Sequence, residues 1–435
     1  MGIFNTGSRQ FERNLRQTVD WKLVLCYIAV VLIGWVSIYA SVHSTEPSSI
    51  FDPGCRSGKQ FVWIVVALLF DALILFTINP RLWEVITPVA YLMVFCLLVL
   101  VIFVSKDVKG SHSWFEFGPV KFQPAEVSKI TTSLMLAMVM SRQGFRLASR
   151  KGFLSVALII GLPMLAILGE SETGSALVYV GYLFVLYREG FSGWWFIFLG
   201  SAVVLFILTL TAPWWAAAIF LALLCTAFFF FGSGFRKGRG VRMDSILKTL
   251  AVLAAGVMLI FATDFLFDNV LQDHQRKRIE VLLGMKEDPS GVGYNVRQSM
   301  IAIGSGGLTG KGFLNGTQTT YGFVPEQSTD FIFCTIGEEW GFLGCLGLIL
   351  LYVFLIYRLV ADAEKSREAF TRIYGYCVAS CLFMHLFINI GMTIGLMPVI
   401  GIPLPMLSYG GSSLLSFSMM VFIFLALNRQ EKKYF

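Results

Sequence analysis

Two groups of residues in this chain have the types and spacing to do chemistry. The first is the stretch VPEQSTDFIFC (324–334), where Asp330 stands immediately before a long apolar run. Ser-Thr-Asp ahead of such a run is a helix N-cap signature. The same position also suits a general base. A helix N-terminus favours the ionised carboxylate, while apolar neighbours push its proton affinity up. Capping and proton abstraction are both open from spacing alone. The second group comprises ionisable residues inside apolar runs, where they are costly and are functional by default. In QPAEVSKI, Glu126 and Lys129 are three apart on one helix face and can pair. In LGESETGSALVY, Glu170 and Glu172 flank a glycine-broken turn, and in IGEEWGF, Glu338 and Glu339 follow Asp330 by two turns. These acids could equally form an ion or proton path.

Two further stretches could contact an anionic substrate. The basic cluster HQRKR (274–278) suits a diphosphate or an anionic headgroup through Arg276 and Arg278, with a solvated charged face as the bland alternative. GSGGLTGKG (304–312) superficially resembles a nucleotide loop. The required Gly-x4-Gly-Lys-Ser/Thr is absent, since Ser305 takes the first glycine position and Gly312 follows Lys311. Turn glycines, with Lys311 beside them, are what remains. Finally, GLMPVIGIPLPMLSYGGSS (395–413) carries Pro398, Pro403 and Pro405, which no single regular helix accommodates. Broken backbone at membrane depth belongs against a cavity or inside protein, so this stretch is expected to rim a site.

The elements that position these residues must be membrane helices. The chain has 435 residues, 56% hydrophobic and only 14% charged, with a mean hydropathy of +0.72. Soluble domains carry roughly 25% charged residues. The fold class is therefore an all-α polytopic membrane protein. About twelve spans are expected, near 21–41, 60–78, 83–104, 124–141, 152–169, 174–187, 193–211, 214–232, 247–267, 330–357, 370–396 and 405–427. The first reads as a retained signal anchor. Lys and Arg gather in 9–17, 141–152, 232–242, 357–372 and 428–435, whereas the short loops after 169, 211 and 396 carry none. With both termini cytoplasmic this is the positive-inside pattern, and it places Asp330 on the outer face. A net charge of +7 in this class reports topology rather than nucleic-acid binding. The eight cysteines show no disulfide framework. One outer loop, 268–329, is too long for a mere connection and is expected to be ordered.

FGPVKFQPAEVSKI, LQDHQRKRIEVLLG, GVGYNVRQSMIAIGSGGLTGKGFLNGTQ, FVPEQSTDFIF with IGEEWGFLG, and NIGMTIGLMPVIGIPLPMLSYGGSS together resemble the SEDS family (shape, elongation, division and sporulation proteins), in the family's order. Gly-Thr-Gln at 316–318 is more similar to the elongation-type member than to the division-type member. The resemblance implies a single transmembrane domain over 1–435 that polymerises lipid II, a disaccharide-pentapeptide on undecaprenyl diphosphate. The reaction takes place outside the bacterial cytoplasmic membrane, beside a class B penicillin-binding protein. It implies Asp330 as the residue essential for polymerisation, and Glu126 and Lys129 as facing a central cavity. Glu172 stands where the family has Asp. Glu326, Ser408 and Gly410 are assigned to the same cavity. Arg276, Arg278, Lys311 or a divalent cation (Mg or Mn) would offset charge on the leaving diphosphate. The family has ten spans, so 193–232 is expected to be an inserted helix pair. A lipid II flippase explains the intramembrane acids too, but it needs no large ordered outer loop. A non-catalytic scaffold would not need Asp330.

Overall fold

The computed structural model describes residues 18–43, 49–105, 113–118, 120–232, 243–271, 273–286 and 291–434. Apart from one short hairpin, the described elements are helical. All twelve expected segments are helices. They are α1 (Trp21–Val42), α2 (Arg56–Phe76), α3 (Arg81–Val104), α4 (Pro124–Met140), α5 (Arg150–Gly169), α6 (Thr173–Val178) with α7 (Tyr182–Arg188), α8 (Trp194–Thr211), α9 (Trp214–Ala227), α10 (Met243–Asn269), α14 (Ile332–Lys365), α15 (Ala369–Thr393) and α16 (Gly411–Tyr434). The long outer loop contributes three more, α11 (Asp273–Leu282), α12 (Val292–Ser305) and α13 (Thr317–Thr320).

Among the described residues, nine helices are long and apolar enough to cross a membrane. Three expected spans fall short for physical reasons. Helix α4 carries Glu126 and Lys129 within its 17 residues. The 174–187 segment is broken by a 3-10 turn at Tyr179–Gly181, and α9 ends in a π-turn at Phe228–Gly232. The 405–427 expectation also shifts, because α16 begins only at Gly411 and the proline-rich stretch before it is not helical.

The chain divides into two compact units, 1–191 with 295–435, and 192–294. In the first, α15 packs on α14, α4 and α16, while α16 packs on α2 and α14 on α1. Residues expected on the cytoplasmic side pair with one another there: Arg358 contacts Asp20 at 2.6 Å, and Arg188 contacts Glu364 at 2.8 Å. In the second, α8, α9 and α10 pack together around Leu205, Ala217, Leu221 and Cys225.

Local sequence explains how α4 is placed. The hairpin β1 (Phe115–Phe117) and β2 (Val120–Phe122) pairs Glu116 with Lys121 across its strands. It leads straight to Pro124 at the first helical turn, where a missing N–H costs nothing. Glu126 follows in that turn, favoured by the helix dipole.

Candidate active site

Asp330 sits in a tight turn, 325–331, that precedes α14. The N-cap position of α14 is Phe331, so Asp330, for which spacing leaves capping and chemistry both open, stands one residue before the cap. The turn's polar groups are already committed to distant parts of the chain. Arg56 Nη1 donates to Ser328 Oγ at 2.7 Å, Tyr409 N to the Ser328 carbonyl at 2.9 Å, and Ser408 Oγ to the Thr329 carbonyl at 2.6 Å. Asn389 Nδ2 donates to the carbonyl of Asp330 itself at 2.8 Å. Glu326, at φ +53°, starts the turn and accepts from the N–H groups of Thr329 and Phe331. The turn is thus held at the Ser328 side chain from α2 and at its backbone carbonyls from α15 and the segment before α16, while Asp330 stays half-buried. Its carboxylate lies beside Gly401 (φ +69°), where a Cβ would stand 3.4 Å from Oδ2.

Broken backbone adjoins this carboxylate at Gly401, within the stretch 395–413 expected to rim a site. Side chains of neighbouring helices take up its carbonyls: Asn389 Nδ2 donates to Ile402 O at 2.6 Å and Tyr352 OH to Pro405 O at 2.5 Å. Ser408 accepts from Leu404 N at 2.8 Å, and Gly410 N donates to Gln60 Oε1 at 3.2 Å. Ser408 and Gly410 are therefore braces of the rim. Helix α6 reaches the same rim at Gly174, where a Cβ would be 2.8 Å from the Ile400 carbonyl. That brings Glu172, which precedes α6 and accepts from Ser113 Oγ at 2.8 Å, to the Asp330 end of the bundle. Glu170 beside it is fully buried. Burial, and then the charge of Glu172, pushes its carboxyl up to about 9.

Glu126 and Lys129 meet at 2.8 Å with side chains only 2% and 1% exposed. In this structure they face each other rather than an open cavity. Lys129 Nζ also lies 2.9 Å from His385 Nε2, and His385 Nδ1 lies 3.2 Å from Pro403 O.

The acid pair in IGEEWGF is organised by the glycine-rich stretch. Helix α14 is kinked at Gly341 (φ +65°), which frees the carbonyls before it. Lys311 N donates to Glu338 O at 3.0 Å and Gly312 N to Glu339 O at 2.9 Å. Only glycine permits this approach, because a Cβ on Gly341 would come within 2.3 Å of Gly310 N. The Glu338 side chain, wholly buried, accepts from Lys311 Nζ at 2.7 Å. It also accepts from the N–H groups of Thr317 and Gln318 at 2.8 Å and of Thr319 at 2.9 Å. Gln327 Nε2 then ties the Thr319 carbonyl to the Asp330 turn at 2.9 Å. Lys311 and Glu338 therefore build the loop that leads into Asp330.

The chain as a whole, with this half-buried acid, buried ion pair and proline-broken rim, matches one known group. The family described as "Cell cycle protein", covering FtsW, RodA and SpoVE, matches residues 20–223 and 220–433. The chain belongs to this family. Among similar proteins, the peptidoglycan glycosyltransferase MrdB of Escherichia coli K12 is 36% identical over 339 residues, covering 78% of this chain and 76% of that one. The peptidoglycan glycosyltransferase RodA of Treponema pallidum is 29% identical over 438 residues, covering 95% and 98%. A solved chain from a peptidoglycan synthase complex that coordinates polymerisation and crosslinking superposes with a TM-score of 0.66 at 25% identity, covering 95% and 98%. The protein is a RodA-type SEDS member and a multi-pass membrane protein, as its motifs implied.

Of the SEDS site residues expected from sequence, the structure brings Asp330, Glu326, Ser408 and Gly410 into one rim, with Glu172 at the same end. Glu126 and Lys129 are linked to that rim through His385. Arg276 and Arg278 lie on α11 in the second unit, where Arg276 contacts Asp273 at 3.3 Å. Among the described residues no group of three His, Cys, Asp or Glu converges to hold a metal ion. Sequence reasoning missed Arg56, His385 and Asn389. No local signal marks Arg56. His385 and Asn389 were visible only as polar residues one turn apart in an apolar span.

Proposed function

We infer that this SEDS protein polymerises lipid II into glycan strands during cell elongation, with Asp330 as the general base. Family membership supplies the activity, peptidoglycan glycosyl transfer. The assignment of Asp330 is supported by one observation: its turn is fixed by bonds from three separate elements, while the half-buried residue sets its carboxylate beside Gly401. A base held in place before substrate arrives needs no reorganisation at the moment of reaction.

The step is a single displacement. A sugar hydroxyl attacks the anomeric carbon of a lipid-linked sugar, and Asp330 takes the hydroxyl proton as the new C–O bond forms. The bond to the diphosphate breaks, and its electron pair leaves with the lipid diphosphate. No second carboxylate nucleophile is required, so the anomeric configuration inverts. Cations offset the charge that builds on the leaving group. Arg56, which bonds Ser328 two residues before the base in the chain, and Lys311 of the same unit are the candidates for that role. The positive-inside pattern supports reaction at the outer face of the cytoplasmic membrane, and the likeness to a synthase-complex chain supports a class B penicillin-binding protein as partner.

The test is polymerisation of purified lipid II by the full chain, with and without that partner. Asp330→Ala is expected to lower the rate by about 10²–10⁴-fold. Full activity in Asp330→Ala would overturn the assignment. Slowed lipid II movement across vesicles, with polymerisation intact, would instead favour a flippase.

A further inference from the structure

We propose that His385 is a positioning residue for the transferase reaction, transmitting the buried Glu126–Lys129 pair to the backbone that faces Asp330. The inference rests on the reading of Asp330 as base.

The geometry assigns the hydrogen-bond directions. Pro403 O can only accept, so His385 Nδ1 carries the proton and donates to it at 3.2 Å. In the neutral ring Nε2 is then an acceptor, matched by the Lys129 ammonium 2.9 Å away. A second Lys129 N–H is spent on Glu126 Oε1 at 2.8 Å. The imidazole cannot swing, because its ring meets Phe417 edge-on at 4.7 Å, and Lys129 Nζ stands 4.9 Å over the same Phe417 ring. One helical turn further along α15, Asn389 donates both to Ile402 O at 2.6 Å and to Asp330 O at 2.8 Å. Adjacent carbonyls of the broken segment, Ile402 and Pro403, are therefore held by two side chains of one helix face. Gly401, next in line, lies against the Asp330 carboxylate. Lys129 fixes the tautomer of His385, His385 and Asn389 fix the 402–403 backbone, and that backbone sets the wall beside the base.

Near-isosteric substitutions separate this role from simple packing. His385→Gln can both donate to Pro403 O and accept from Lys129, whereas His385→Met has no donor and only a weak thioether acceptor. With melting temperature in detergent as the folding control, His385→Met is expected to lower kcat about tenfold with KM for lipid II unchanged within about twofold, the worth of one hydrogen bond to a charged group. His385→Gln should recover kcat to within about threefold. Equal kcat in both variants, or a loss confined to KM, overturns the proposal. Should His385→Met not fold, ¹⁵N-histidine NMR of the unaltered protein decides. The chain has 4 His, and His385→Gln identifies the relevant signal. A proton on Nδ1 supports the relay, and one on Nε2 sinks it. Activity retained in Asp330→Ala would refute the base assignment but leave the tautomer result standing, so the two failures are distinguishable.

Discussion

The two units treat apolar helices in opposite ways. In the first, the apolar stretches of α15 and α16 are 83% and 72% buried, whereas in the second those of α8 and α10 are 6% and 11% buried. Yet α15 and α16 are the least apolar of the nine long spans. In water this ordering would be inverted. In lipid, an apolar side chain gains little by hiding, because the tails are as apolar as leucine. What must be enclosed is the polar side chain. Helices bearing His385, Asn389 and Ser418 are buried because their polar groups find partners there, and helices of Phe, Leu and Trp are left facing outward.

Breaking a polar partnership in the first unit should therefore cost most. Lys129→Met leaves Glu126 buried without its cation, and is expected to destabilise by ~3–5 kcal/mol in thermal unfolding in detergent. The double change Glu126→Gln with Lys129→Met should recover much of that loss, since no unpaired charge remains. A double variant no better than the single one would show that the pair acts through something other than charge compensation.

Glu338→Gln removes the anion that gathers Lys311 and the 317–319 amides. Lys311 can rehydrate, its side chain being 26% exposed, so a smaller loss of ~1.5–3 kcal/mol is expected. Faster hydrogen exchange at Thr317, Gln318 and Thr319 is the specific readout.

Glu170 gives a pH signature. Its folded-state value near 9 lies above the ordinary 4.5, so the folded protein holds this proton more tightly than the unfolded chain. Its contribution to stability is complete below about 4.5 and is lost as pH rises through 9. Glu170→Gln should flatten the fall in melting temperature between pH 6 and pH 10. An unchanged slope would place the titration elsewhere.

The second unit supplies the small effects that sharpen the contrast. Phe261→Leu and Met258→Leu, at side chains 77% and 72% exposed on α10, should stay within about ±0.5 kcal/mol. A loss as large as that of Lys129→Met would mean that this face is covered by protein rather than lipid.

Much of the site was legible as composition and little of it as connection. Asp330 stands out as an acid at the edge of an apolar run, and the positive-inside pattern gives an outer face only as an expectation. Of the two roles that spacing leaves open to Asp330, the N-cap falls instead to Phe331, with Ser328 and Thr329 bonded to Arg56, Tyr409 and Ser408 and α14 starting at Ile332. The spacing of the glycines in 304–312 predicts turns. Their closer purpose, to let a loop touch the carbonyls freed at Gly341, depends on a kink that no local pattern announced.

The twelve helical segments, and the polar residues that lipid would not tolerate uncovered, follow from the amino-acid order alone. Those properties are local: a helix bonds within four residues, and a span is chosen by its own twenty. Only the tertiary structure decided which polar groups meet. Lys129 finds His385 across 256 positions, and Arg56 finds Ser328 across 272. Such partnerships arise because a polar group cut off from water must be satisfied by whichever neighbour packing brings close, and helix packing is not written in the spacing of either strand of sequence.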